Sequence, residues 1–371
     1  GGYIYFSDDS VAIFPRISQT SEVSEDLRSE YLIEFREKSL LEKRKELVPQ
    51  IKTKPSFKDI SSKELRGYKN ELKSKHEISK QKVLDVASSI RLRKYTLKQI
   101  SIKREFITVF NGIVMDLSSE EVEEIKKMNE VKAVYPSVEI HALLDDSVGL
   151  IDADDLWPIV TGKGIDIGII DTGIDYTHPD LGGCTKDEFL GGNCDKVKGG
   201  YDFVNDDNNP LDDHGHGTHV AGIAAGNGPR IRGVAPDANL YAFKVLASDG
   251  RGSSIGIIAA IDRSFDLDDD GFIYGIDPEE DNPGDILDII SLSLGGMGDP
   301  DDSMSKAIDR SVDNGVVAVV AAGNSGPDGN NDCNRGGDGS SNSICSPGTA
   351  RKAITVGAVN KNLKIAGFSG R

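Results

Sequence analysis

Apolar positions along this chain follow two rhythms, and the change falls near residue 150. In the first stretch, residues 31–36 alternate apolar and polar as a half-buried strand does, and residues 64–90 carry a long charged helical pattern. Residues 106–115 read as a strand, a turn at Asn111-Gly112 and a second strand. Ser118, with Glu121 three residues on, makes a capping box ahead of Val122, Ile125 and Met128 at helical spacing, and residues 131–135 form another strand. Beyond residue 150, short continuous apolar runs at 165–170, 240–246, 286–294, 316–322 and 354–359 alternate with helical patterns that begin at Thr218, Ser254 and Asp302. Continuous runs suit strands buried on both faces, and their alternation with helices implies a parallel sheet with helical crossovers. The pattern predicts a small α+β domain ahead of a larger α/β domain, whose chemistry gathers at the carboxyl ends of the strands.

With 371 residues and 37% hydrophobic content, two or three domains with real cores are expected. The longest apolar stretch, 316–322, falls far short of the roughly 18 residues of a membrane span, so no span is expected. The chain begins Gly1-Gly2, without Met and without a basic segment leading into an apolar one; a secretory signal is expected to have been cut away. Charge separates the two parts: residues 1–145 hold 26 Lys+Arg against 24 Asp+Glu, and residues 146–371 hold 17 against 37. The acidic part repels nucleic acid and anionic membranes and attracts cations, which makes calcium the natural suspect. Cys184, Cys194, Cys333 and Cys345 fall in two sequence-local pairs inside polar loops, and two loop-stapling disulfides in an oxidising compartment are expected. Three connectivities remain open, as does the alternative of free thiols; zinc is disfavoured because the spacing is unlike CxxC.

Asp171, in Asp171-Thr172-Gly173, follows a buried strand directly. Alone it could be a helix cap or a metal ligand. His214-Gly215-His216-Gly217-Thr218-His219-Val220-Ala221-Gly222 says more, because Ala221, Gly222, Ala224 and Ala225 let a helix pack closely and hold a His at its start rigidly. A general base needs such placement, with a carboxylate to fix its tautomer, and Asp171 is a candidate for that carboxylate. These two motifs resemble the subtilases, the subtilisin-like serine proteases, whose signatures run Asp-Thr-Gly, His-Gly-Thr-His-Val-Ala-Gly and Gly-Thr-Ser-Met-Ala. The resemblance implies a subtilisin-like parallel sheet with helices on both faces, Asp171 as triad acid, His216 as base, and His219 and His178 as structural or loop residues. Asn324, in Ala321-Ala322-Gly323-Asn324, is then the oxyanion donor, although Asn also forms simple turns. Gly250-Arg251-Gly252 and Ser293-Leu294-Gly295 resemble the two backbone segments that pair with an extended polypeptide substrate. Arg251 would lie on the acyl side and suit acidic residues there, or simply be solvated.

Residues 31–36 and 106–142 resemble the inhibitory propeptide of subtilases, an intramolecular inhibitor whose tail crosses the active site. The implied division is a leader at 1–27, a propeptide domain at 28–145 and a peptidase domain at 146–371, with processing near 141–147 in a secreted zymogen. One departure matters: Gly-Thr-Ser-Met-Ala occurs nowhere in the sequence. Ser346-Pro347-Gly348-Thr349-Ala350 is no substitute, since Ala350 stands where Ser is required, and Phe368-Ser369-Gly370-Arg371 resembles the segment shortly before the nucleophile. The expectation is a precursor truncated ahead of its serine and inactive alone. The alternatives are an inactive binding or inhibitor protein on the same scaffold and, more remotely, a metal-dependent hydrolase using His214, His216 and His219 with Asp212 or Asp213.

Asp266, Asp268, Asp270 and Asp277 fall at positions 1, 3, 5 and 12 of an EF-hand-type calcium loop, with Gly271 at position 6 and the Phe272 carbonyl at position 7. Asp replaces the usual Glu at position 12, and an acidic solvated insertion is the alternative. Asp206, Asp207, Asp212 and Asp213 form a vaguer second cation candidate.

Overall fold

The computed structural model describes residues 28–47, 62–93, 100–137, 139–142, 151, 153–267, 286–326, 333, 343–360 and 363–370. The first domain is a four-stranded antiparallel sheet in the order β2-β3-β1-β4, built from β1 (Ser29–Phe35), β2 (Ile102–Phe106), β3 (Gly112–Leu117) and β4 (Val131–Pro136). Helices α1 (Leu40–Leu47), α2 (Ser62–Arg93) and α3 (Ser119–Ile125) accompany it. Ile33, Phe35, Ile113 and Met115 pack with Val83 and Ala87 of α2 and with Val122 and Ile125 of α3. The capping box forms as expected, with Ser118 and Glu121 exchanging hydrogen bonds. The expected tight turn at Asn111-Gly112 does not. Strand β2 ends at Phe106 and β3 begins at Gly112, and Asn111 is a buried connector whose amide donates to the Glu37 carbonyl at 3.1 Å. Gly112 serves close approach, since a Cβ there would lie 2.1 Å from the Ile33 carbonyl oxygen.

Glu121 carries a further duty. Its carboxylate is fully buried and accepts from Arg91 Nε at 2.7 Å and Arg28 Nη1 at 2.8 Å. Burial pushes its pKa up, but the Arg91 hydrogen bond, the Ser118 N–H and the charges of Arg91 and Arg28 outweigh burial and hold it below 4.5. A carboxyl whose folded pKa is depressed contributes stability that is complete above its unfolded value and lost as pH falls through the folded one. Acid is therefore expected to loosen the small domain. Glu121→Gln should cost about 3 kcal/mol at neutral pH by removing the buried carboxylate that Arg91 and Arg28 share, and should flatten the acid limb. Urea titrations at several pH values check both.

The second domain is a six-stranded, wholly parallel sheet in the order β13-β12-β10-β6-β8-β7. Its strands are β6 (Asp166–Asp171), β7 (Val197–Asp202), β8 (Asn239–Lys244), β10 (Ile289–Leu292), β12 (Val317–Ala321) and β13 (Ile354–Val356). One face packs with the short α4 (Lys186–Leu190) and with α5 (His216–Ala225), the other with α6 (Ser254–Arg263) and α7 (Ser303–Asp313). Ile167 and Ile169 join the first core and Ile170 the second, the period-2 alternation of a strand buried on both sides. Helix α6 is apolar nearly all round because it lies between the sheet and the small domain: Ile255, Ile257, Ile258 and Ile261 share one core with Leu32, Leu40, Phe110 and Val114.

The strand order reverses at β6, with β8 on one side and β10 on the other, so the crevice of this sheet opens at the carboxyl end of β6. The apolar run 286–294 splits: β10 stops at Leu292, and β11 (Leu294–Gly295) joins a separate three-stranded antiparallel sheet with β5 (Glu139–Ala142) and β9 (Arg251–Ser253). Both disulfides pair within their loops, Cys184 with Cys194 and Cys333 with Cys345. Among the described residues no helix is long and apolar enough to cross a membrane.

Candidate active site

Asp171 is the last residue of β6 and is fully buried at the switch point. One of its oxygens, Oδ1, accepts from the Thr172 N–H at 2.7 Å and lies 2.7 Å from Nδ1 of His216, the first residue of α5. A carboxylate can only accept, so this contact places the imidazole proton on Nδ1 and leaves Nε2 with its lone pair. The two residues are 45 positions apart in sequence and meet because α5 packs directly on β6. Gly217 permits that approach, since a Cβ there would lie 2.2 Å from the Gly173 carbonyl oxygen and 3.1 Å from Asp171 Cβ.

What aims the imidazole is a set of residues that the motif reading left idle. The N-cap of α5, Gly215, sits at φ 95° and has no side chain with which to cap. Asp212 caps instead: Oδ1 accepts from the N–H groups of His214 (2.9 Å) and Gly215 (2.8 Å), and Oδ2 from Thr218 N–H (2.9 Å) and Oγ1 (2.5 Å). Thr172 Oγ1 donates to Asp212 Oδ1 at 2.9 Å and accepts from Gly217 N–H at 2.8 Å, tying the residue after the acid to the residue after the base. Burial raises the Asp212 pKa, but the Thr218 hydroxyl and the N–H groups of Gly215, His214 and Thr218 outweigh it and hold it below the usual carboxylate range. Lys244, buried at the end of β8, donates to the carbonyls of Thr172 (2.8 Å) and Leu246 (2.9 Å) and to Asp213 Oδ1 (2.6 Å), bracing the same turn from below. The signal for Asp212 was present in the sequence as an acid followed by Thr six residues on, at a helix start.

The same bonds bear on the metal readings. His216 is turned to Asp171, Asp212 to α5, Asp213 to Lys244, and Asp206 to Tyr201 and Arg104. Among the described residues no group of three His, Cys, Asp or Glu side chains is arranged to hold a metal ion. His214 is exposed, 6.3 Å centroid to centroid from the His216 ring and edge-on to it. His178 caps a single 3-10 turn, accepting from Asp180 N–H at 3.1 Å. Of the expected calcium ligands only Asp266 is among the described residues; Asp268, Asp270, Phe272 and Asp277 lie outside them.

A groove beside the pair is already filled. The backbone of β5 runs antiparallel between β9 and β11, with Ile140 opposite Gly252, His141 opposite both Arg251 and Gly295, and Ala142 opposite Leu294. Four of the six residues assigned to substrate pairing, Arg251, Gly252, Leu294 and Gly295, thus flank an extended segment of the chain itself, and Gly250 and Ser293 directly precede β9 and β11. Gly250 turns at φ 75°, and a Cβ on Gly252 would strike the Val245 carbonyl oxygen at 2.2 Å, so neither position tolerates a side chain. Asn324 is exposed at the carboxyl edge of the same sheet, just after β12 and two strands from β6. Before it, Gly323 at φ 93° passes so close to Cys345 that a Cβ would lie 2.2 Å from Sγ, which puts the second disulfide directly under this turn.

Residues 162–371 match the Subtilase family and residues 30–143 the Peptidase inhibitor I9 family. The chain is 37% identical over 290 residues to the minor extracellular protease Vpr of Bacillus subtilis, covering 71% of this chain and 31% of that protein. It is 36% identical over 250 residues to serine protease AprX of Bacillus subtilis, covering 64% of this chain and 48% of the relative. With subtilisin DY of Bacillus licheniformis it shares 37% over 210 residues, covering 56% of this chain and 61% of the relative. The chain therefore spans between about a third and three-fifths of the length of these relatives.

Proposed function

The chain belongs to the subtilase family, and from that premise we propose that it is part of a serine endopeptidase precursor, acting on polypeptides through an Asp-His-Ser triad. The observation that carries the reading is the Asp171–His216 contact lying beside a groove that binds peptide backbone as a strand. A substrate enters between β9 and β11 as β5 does, its main chain paired on both edges. His216 Nε2 takes the proton of the attacking serine hydroxyl, and Asp171 holds the ring and stabilises the imidazolium that forms. The same proton then passes to the leaving amine, and water releases the acyl group by the reverse path. Asn324 donates its side-chain N–H to the oxyanion.

The serine is taken to lie in sequence following residue 371. The reading is supported by the missing Gly-Thr-Ser-Met-Ala motif and by the exposed apolar side chains on and after the edge strand β13, Ile354, Val356, Leu363, Ile365 and Phe368. In this proposal residues 30–143 form the inhibitor, β5 blocks the groove until it is cut near 141–147, and the protein is secreted, in keeping with its two disulfides and with the name of an extracellular relative. A chain extended through the serine motif should cut itself in that window and then bind a serine-directed phosphonate covalently. An extended chain that does neither would favour the inactive scaffold.

The acidic stretch 266–277 is proposed to hold a structural calcium ion, its carboxylates being the hard oxygen ligands this cation takes. Millimolar Ca²⁺ should raise the melting temperature by about 4 °C or more, and Asp270→Asn should remove the response. Equal melting with Ca²⁺ and with chelator would leave the stretch an acidic insertion.

A further inference from the structure

The two domains meet along α7, where the pairing of charges is ordered. Arg310 reaches from the last turn of α7 into the small domain: Nη2 donates to Glu34 Oε1 at 2.6 Å and to Glu42 Oε1 at 2.9 Å, and Nη1 donates to the Val109 carbonyl at 3.1 Å. Its guanidinium lies 4.1 Å from the centroid of the Phe110 ring. Glu34, the next-to-last residue of β1, points into the interface, is buried, and also accepts from Tyr135 OH at 2.9 Å and Lys132 Nζ at 3.1 Å. Glu42 opens α1 and accepts from Ser39 N–H at 2.8 Å. One turn earlier on α7, Lys306 approaches Tyr135. At the far end the signs reverse: Lys45 pairs with Asp313, and buried Arg44 donates to the Asn314 carbonyl at 3.3 Å.

A buried carboxylate on a recognition face is costly unless the partner brings a cation to the right place, and a reversed sign there is costlier still. Glu34 is such a carboxylate, and α7 brings Arg310. We propose that Arg310 is the residue by which the peptidase domain selects its inhibitor: the α7 face takes I9-type domains that present a carboxylate pair where Glu34 and Glu42 stand, whether in the same chain or on a second copy, and discriminates against those that do not. The planar fork serves two carboxylates and a carbonyl at once, which an ammonium cannot do at this spacing. The apolar part of the interface, the core shared by Leu32, Phe110 and α6, is sign-blind and would accept any domain of this shape. The proposal rests on residues 30–143 acting as an inhibitor, but it concerns binding alone and is tested without catalysis.

The test uses the full 371-residue chain and backbone hydrogen exchange read by mass spectrometry, comparing peptides that contain β5, β9 and β11 with peptides from β6, β8 and β10 as the fold control. Arg310→Ala should speed exchange in the three-stranded ladder by about tenfold or more and leave the control strands protected. In a Glu34→Gln, Glu42→Gln background the same replacement should change the ladder by less than about threefold, because the carboxylates through which Arg310 acts are gone. Equal acceleration in both backgrounds would reduce Arg310 to apolar cover for Phe110 and overturn the proposal, as would no acceleration at all. Should Arg310→Ala also unprotect the control strands, Arg310→Lys is read in both backgrounds by the same criteria. Self-cleavage that fails in an extended chain would count against the catalytic reading and leave these exchange ratios untouched.

Discussion

Replacing His216 by Ala in a chain extended through its serine should stop self-cleavage between the two domains, with the rate falling on the order of 10⁶-fold. That size is carried over from subtilisin itself and does not come from this geometry. The geometry supplies the reason: Asp171 holds the Nδ1–H at 2.7 Å, so Nε2 is the only basic atom the pair offers, and Ala removes it. Asp171→Asn should be milder, about 10⁴-fold, the size known for the equivalent change in trypsin. An amide keeps the shape, but its NH₂ can turn toward Nδ1 and force the proton to the wrong nitrogen. The double replacement should be no slower than His216→Ala alone, since the two act as a unit. Time courses of processed chain read all three. Normal processing by the His216→Ala chain would remove the triad reading.

The parts of this design that could be read from the sequence are those whose physics is local. Strands buried on both faces announce themselves as apolar runs, and the helical patterns read from Ser254 and Asp302 coincide with the starts of α6 and α7, which Ser253 and Asp302 cap from adjacent sequence. Asp171 and His216 are legible as two separate motifs, although their meeting across 45 positions depends on α5 packing on β6, and each cysteine pair lies close in sequence. What stayed hidden depends on distant partners. Strand β5, Glu139-Ile140-His141-Ala142, alternates for only four residues, too short a run to read as a strand without the edges that β9 and β11 offer it. Strand β7 was missed because Gly199 and Gly200 break its apolar pattern; at Gly200 a Cβ would lie 1.9 Å from the Ala242 carbonyl oxygen, so tertiary contact with β8 overrides strand propensity. The run 286–294 reads as one strand because nothing in its hydrophobicity shows that the chain leaves one sheet for another after Leu292. Asp212 looked like one acid among several until its two oxygens were seen to collect five donors.

That collection makes Asp212→Ala the second large effect expected. Loss of a helix cap costs about 1–2 kcal/mol, and the orphaned N–H groups of Gly215 and Thr218 and the hydroxyl of Thr172 raise the total to about 3 kcal/mol. The functional cost should be separable from this, because the freed turn carries His216. A displacement of about 1 Å from Asp171 is worth roughly 10²-fold in rate, so self-cleavage by the extended chain should slow by that order even where the protein is fully folded. Asp212→Asn is the informative comparison: its carbonyl oxygen can still accept from His214, Gly215 or Thr172, but the position that serves Thr218 becomes an NH₂ facing an N–H donor. It should recover part of the stability and less of the rate. The wild-type carboxyl should also print a pH dependence on both. Its folded pKa is depressed, so its contribution is complete above the ordinary aspartate value of 3.8 and fades as pH falls through the lower folded value, a limb that Asp212→Asn should lack. An Asp212→Ala chain that unfolds within about 0.5 kcal/mol of wild type and processes itself at full speed would mean that Thr172 and Lys244 hold the histidine without it.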